Sequence, residues 1–248
     1  MTRISTLNLV ATLSSCQHEA DGADEQLDHS QMFADSFLEQ DEVTEKSLVD
    51  HVLLIGETED REMSRDELDC ILTIIGNFSV DGIDAREKLC VKVINSKFLT
   101  WISEMIKSNN ELAELGLWAI EGLMMEQGKK SVKKLSVNVY AIVKDLYDNQ
   151  THQYQFWSLL AACTAHSKVN CVRAHDDFYQ MALEVIKTSL DFEGHGISDF
   201  IIEHAWLTLV NISGRGPLNM IVQSGELLDL VYQNWVKGGR TVLHKFGW

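Results

Sequence analysis

Four stretches of this chain, each sixteen residues long, carry one apolar pattern: "SRDELDCILTIIGNFS" from Ser64, "NELAELGLWAIEGLMM" from Asn110, "HQYQFWSLLAACTAHS" from His152 and "DFIIEHAWLTLVNISG" from Asp199. Within each, apolar residues return every three or four positions, the period of a helix with a buried face. A helical unit this short cannot bury that face alone, so a recurring pattern demands stacking of one copy on the next. Laid over one another, the copies place Asn77, Gly122, Ala161 and Asn211 in one column, at separations of 45, 39 and 50 residues. Four residues earlier the column reads Thr73, Trp118, Trp157 and Leu207, with Trp206 one place off.

The material between the copies also corresponds. "GIDAREKLCVKVINSKFLTWISEMIKSN" predicts a short helix, a turn and a longer amphipathic helix, and "RGPLNMIVQSGELLDLVYQNWVKGG" predicts the same, with Pro217 at a first helical position and Gly225 at the break. "KKSVKKLSVNVYAIVKDLYDNQ" is a third, more polar version. Pro217 is the single proline in 248 residues, which argues against a loop-rich β fold and for long helices. Three helices in ~40–47 residues is the unit of HEAT and armadillo arrays.

The pattern resembles the armadillo-repeat family, and within it the importin-α branch, over roughly residues 46–248. The resemblance rests on "LGLWAIEGL", "QFWSLLAAC" and "AWLTLVNIS", which partly match that branch's third-helix string, and on "MIVQSGELLDLV", which is similar to its first-helix, glycine, second-helix junction. It implies an all-α, right-handed α-solenoid of about four three-helix repeats, whose third helices line a concave groove. In the family, Trp side chains there receive the stems of Lys and Arg, and Asn side chains hold the peptide backbone. Both roles are physically sound, since an indole face attracts a cation and an amide both donates and accepts.

Carried over by position, Trp118 and Trp157 match the Trp column, and Asn77 and Asn211 the Asn column. Gly122 and Ala161 stand where the amide belongs, and Thr73 and Leu207 where the Trp belongs, so no copy has both. The groove expected here is lined by Asn77, Trp118, Gly122, Trp157, Ala161, Trp206 and Asn211. Packing within and between repeats is the other use of the same positions, because apolar residues at helical spacing are usually core. The family's adaptors carry a basic N-terminal segment, whereas residues 19–62 hold 15 acidic residues against Lys46 and Arg61.

Charge and cysteine content bound the partners. A net charge of −16 disfavours nucleic acid and anionic membrane surfaces and steers basic proteins or peptides to the chain. Five cysteines, an odd number, suit buried free thiols in a reducing compartment, cytoplasmic or nuclear, better than a disulfide framework. No apolar run reaches membrane-spanning length, and "MTRISTLNLVATLSSC" is a poor signal peptide. That segment also suits the end of an earlier third helix. Residues 1–45 are therefore expected as an acidic segment with a partial repeat and a mobile loop, and 46–248 as the repeat domain.

"CTAHSKVNCVRAH" spaces Cys163, His166, Cys171 and His175 in a manner that invites zinc, but Cys163 lies on a continuous apolar helix, and no metal or cofactor is expected. No nucleophile motif or phosphate-cradling loop is present, so the expected function is non-catalytic. Lys129, Lys130, Lys133 and Lys134 form either a solvated helix face or a patch for acidic groups. The alternative to groove binding is assembly, including homo-oligomerisation, through an apolar terminal repeat carrying Leu230, Trp235, Val242, Phe246 and Trp248.

Overall fold

Two reciprocal serine–carboxylate caps start the first helices downstream of the acidic segment. Ser64 N donates to Glu67 Oε2 at 2.9 Å while Glu67 N donates to Ser64 Oγ, a capping box that satisfies two backbone donors at once. Ser47 and Asp50 repeat the device, with Ser47 N and Oγ donating to Asp50 Oδ2 at 2.8 and 2.7 Å. The computed structural model describes residues 3–15, 37–39, 46–55, 63–80, 83–125, 129–191 and 197–215, together with Asp229 and Tyr232.

Among the described residues the chain is all-α. Its helices are α1 Arg3–Ser15, α2 Leu48–Ile55, α3 Arg65–Val80, α4 Ile83–Ile94, α5 Phe98–Lys107, α6 Ala113–Met124, α7 Lys130–Asn149, α8 Gln153–His166, α9 Lys168–Asp191 and α10 Asp199–Arg215. The four pattern copies are α3, α6, α8 and α10. None of these helices is long and apolar enough to cross a membrane.

The chain divides into two compact units, Met1–Thr151 and His152–Trp248. In the first, α3 packs between α1 and α6, while α7 packs on α4 and α5. Ile71, Leu72, Ile74, Ile75 and Phe78 of α3 are fully buried, as befits a helix covered on several sides. α5 is the opposite kind, with Phe98, Trp101, Ile102, Met105 and Ile106 buried along one stripe. The stretch before residue 46 contributes to this unit: α1 packs on α3, and Phe37 stacks on Phe78 with ring centroids 4.3 Å apart. In the second unit, α10 packs on both α8 and α9, and α8 on α9.

One interval recurs through the first unit. Lys92 Nζ meets Asp50 Oδ2 at 2.6 Å, Lys129 Nζ meets Glu87 Oε2 at 3.0 Å, and Ser103 Oγ donates to Asp145 Oδ2 at 2.5 Å, each across 42 residues.

The segments between copies depart from the expected short-helix, turn, long-helix form. α4 and α5 keep the expected break, at Asn95–Lys97, where Ser96 Oγ accepts from Phe98 N and restarts the helix, but the first helix, at 12 residues, is longer than the second, at 10. "KKSVKKLSVNVYAIVKDLYDNQ" instead forms one 20-residue helix, α7, lying along both α4 and α5. Nothing between Lys130 and Asn149 breaks it, since that span has neither Gly nor Pro and its buried stripe from Val132 to Leu146 is unbroken. α9 is likewise continuous over 24 residues. Pro217, Gly225 and their segment lie outside the described residues.

Candidate functional site

The neighbouring copies α3 and α6 are held by contacts that climb both helices together. A Cβ on Gly116 would lie 3.4 Å from Leu72, one on Gly76 would overlap the Trp118 ring, and one on Gly122 would overlap Ser79 Oγ, with Ser79 Cβ at 2.9 Å. The helices therefore run parallel and close, with glycines in place where side chains would collide. Trp118 lies with its six-membered ring over Gly76 and stays 37% exposed.

That register differs from the one the apolar pattern suggested. Trp118 faces Gly76 rather than Thr73, and Gly122 faces Ser79 rather than Asn77. Ile71, Leu72, Ile74 and Ile75 cover the middle of α3 with apolar bulk on every side, so the apolar pattern there leaves the phase open. The small residues Gly76 and Ser79 decide it sterically, and they are the part of the arrangement that pattern matching missed.

The α8/α10 pair is built otherwise. Asn211 Nδ2 donates to Ala161 O at 3.1 Å and to Thr164 Oγ1 at 3.2 Å, so the matched positions of the third and fourth copies do meet, through a side chain and a backbone carbonyl. Trp157 is 5% exposed and edges onto Phe156, and Trp206 is 2% exposed. Asn77, Gly122 and Ala161 are buried as well. Of the seven candidate groove residues, Trp118 alone presents an exposed aromatic face. Asn211 is partly exposed, with its amide committed to α8. Leu230, Trp235, Val242, Phe246 and Trp248 lie outside the described residues.

Charge separates by layer in the first unit. α3 and α6 carry Asp66, Glu67, Asp69, Glu114 and Glu121 against Arg65, whereas α4, α5 and α7 together carry eight Lys and Arg against five Asp and Glu. Glu114 and Glu121 stand about one turn either side of Trp118 on its own helix stripe, and Met125, 70% exposed, continues the stripe. At the N-terminal ends of α3 and α6, a cleft of about 520 Å³ is lined by Met63, Arg65, Leu68, Asn109, Asn110, Glu111 and Leu112. Arg65 and Glu111 form an ion pair at that cleft, with both side chains well exposed.

The cysteine–histidine string does not converge. Cys163 is fully buried, and burial pushes its thiol well above the ordinary range. Burial also raises Cys171, whose Sγ donates to Thr164 O at 3.2 Å. His175 turns instead to Asp176, 3.3 Å away, and to the Tyr179 ring. Cys70 is raised by burial and by Asp69 and Asp66, and its thiol donates to Asn8 Oδ1 at 2.9 Å. Among the described residues, no three His, Cys, Asp or Glu side chains group as metal ligands. Cys70, Cys90, Cys163 and Cys171 are free and buried.

Compared with models of protein families, with curated proteins and with solved structures, the chain matches none.

Proposed function

We propose that this chain is a non-catalytic protein-binding scaffold of armadillo type, importin-α-like in plan, which holds a basic, extended peptide on the α3/α6 face. Trp118 carries the reading. Its indole is seated on Gly76, exposed, and flanked along α6 by Glu114 and Glu121. A fixed π face among carboxylates suits a Lys or Arg side chain, whose stem packs on the ring while its charge meets the acids. The 42-residue contact interval supports an armadillo-type array in the first unit. Free, buried thiols accord with a cytoplasmic or nuclear setting.

Fluorescence anisotropy with a labelled Lys/Arg-rich decapeptide tests the reading. Trp118→Ala is expected to weaken binding about tenfold or more, with the helical circular-dichroism signal little changed. Equal affinity for the variant and the parent chain removes the proposal.

A second reading, assembly through an open end, is favoured by one observation. α1 keeps Leu9 and Leu13 48% and 45% exposed while Leu7 and Val10 of the same helix are buried. Light scattering on Leu9→Glu, Leu13→Glu beside the unaltered chain tests it, and a monomer in both rejects assembly through α1.

A further inference from the structure

The lysines at the start of α7 stand where helix electrostatics disfavours them. The N-terminal end of a helix carries partial positive charge, so Asp and Glu belong in its first turn and Lys in its last. α7 has no acidic residue in its first turn and no basic residue in its last. Lys130, Lys133 and Lys134 are all exposed, and none has an ion-pair partner among the described residues. Their neighbour Lys129 is paired with Glu87 of α4. Lys88, next to Glu87 on α4, is exposed as well. A chain of net charge −16 thus concentrates positive charge on one end of one layer.

We infer that the face formed by the start of α7 and the adjoining turn of α4 is a docking surface for an acidic segment of a partner protein. Charge complementarity argues for this occupant, because neighbouring like charges repel in the free protein and a run of carboxylates relieves that repulsion. The extent of the patch argues for a short peptide rather than a nucleic acid. Lys130 to Lys134 span about 6 Å of helix axis at 1.5 Å per residue. Further along, the same helix presents the exposed Asp148, which would repel a longer track of phosphates. Val91, 47% exposed and one turn along α4 from Glu87, the partner of Lys129, offers an apolar contact beside the charges. This surface is independent of the Trp118 face, on the other layer of the unit, so either can fail without the other.

The test uses the full chain and a fluorescein-labelled hexaglutamate peptide, read by anisotropy at low and at physiological salt. The unaltered chain is expected to bind, more weakly at the higher salt. Lys130→Glu, Lys133→Glu, Lys134→Glu together should weaken binding by about tenfold or more, since exposed charge pairs each contribute modestly. The corresponding triple Lys→Arg variant should bind as the parent does, and Trp118→Ala should leave hexaglutamate affinity unchanged. Circular-dichroism melts of both triple variants establish that they fold. Three results would overturn the proposal: no binding by the parent chain, equal binding by the Lys→Glu variant, or tighter binding of an oligothymidylate with as many charges, which would assign the face to nucleic acid.

Discussion

The two pairs of matched helices, α3/α6 and α8/α10, reach close contact by opposite means. The first pair removes side chains: Gly76 makes a bed for Trp118, and Gly122 lets Ser79 approach. The second keeps side chains and bonds them: Asn211 reaches across to Ala161 O and Thr164 Oγ1, and Trp157 and Trp206 are enclosed. A tryptophan therefore means different things in the two places. In α6 it is a surface that packing has fixed, and in α8 and α10 it is the packing.

That difference sets the largest expected effect. Trp206→Ala should destabilise the second unit by about 3–5 kcal/mol, the usual range for truncating a buried Trp. Trp118→Ala should cost less, about 2 kcal/mol, because more than a third of the residue is already exposed. Urea unfolding of each variant measures both, and comparable losses would erase the distinction between the pairs.

Asn211→Ala comes next. Removing an amide that spans two helices should cost about 1 kcal/mol, the net value of such bonds. Were the amide turned to a ligand instead, the melting temperature would not move while peptide binding fell.

How much of this was legible in the sequence follows from the same residues. The apolar period located α3, α6, α8 and α10, because long stretches of buried Leu, Ile and Val admit only one regular element at that spacing. Between α8 and α10 the matched positions Ala161 and Asn211 touch, at a point where a polar residue interrupts the apolar run and marks the phase. Between α3 and α6 the register slipped by about three residues, because Ile71, Leu72, Ile74 and Ile75 are buried on every side and mark no phase at all. The single long α7 was read as two helices by analogy with α4 and α5, although its sequence contains no break. The role of Trp118 was hardest to read, since its exposure depends on a glycine 42 residues away.

Ionised side chains make the first unit responsive to acid. The first is tied at intervals by ionised side chains: Asp50 with Lys92, Glu87 with Lys129, Asp145 with Lys107 and Ser103. Between α8 and α9, neutral side chains also bond across, as in Asn170 Nδ2 to Cys163 O and Cys171 Sγ to Thr164 O. Burial alone would raise Asp50, but bonds from Lys92 and Ser47 outweigh it and hold the carboxyl below its usual range. With the folded-state value lower than the unfolded one, this carboxylate stabilises the fold above about pH 4, and the contribution is lost as pH falls through the folded value. Asp50→Asn is thus expected to cost about 1 kcal/mol at neutral pH and to approach the parent's stability in strong acid. A stability difference that stays constant down to pH 2 would break the assignment.

The smallest effect concerns the end of the first unit. α7 finishes on Gln150, held left-handed at φ 54°, with Gln150 N donating to Tyr147 O at 3.2 Å and Thr151 N to Leu146 O at 3.4 Å. Glycine usually occupies that position, because a Cβ crowds the following carbonyl in the left-handed region. α5 ends in the same conformation on Asn109, φ 52°, a residue that tolerates it better. Gln150→Gly relieves the crowding but loosens the unfolded chain, two terms of opposite sign and similar size. The first dominates where φ is positive, so a gain of about 0.5 kcal/mol is expected, and Asn109→Gly should yield less. Hydrogen exchange of the last-turn amides of α7 reads the change locally. Slower exchange there, with exchange in α8 and α10 unaltered, would confine the effect to the first unit, whereas faster exchange would mean that the Gln150 side chain stabilises the cap more than its backbone strains it.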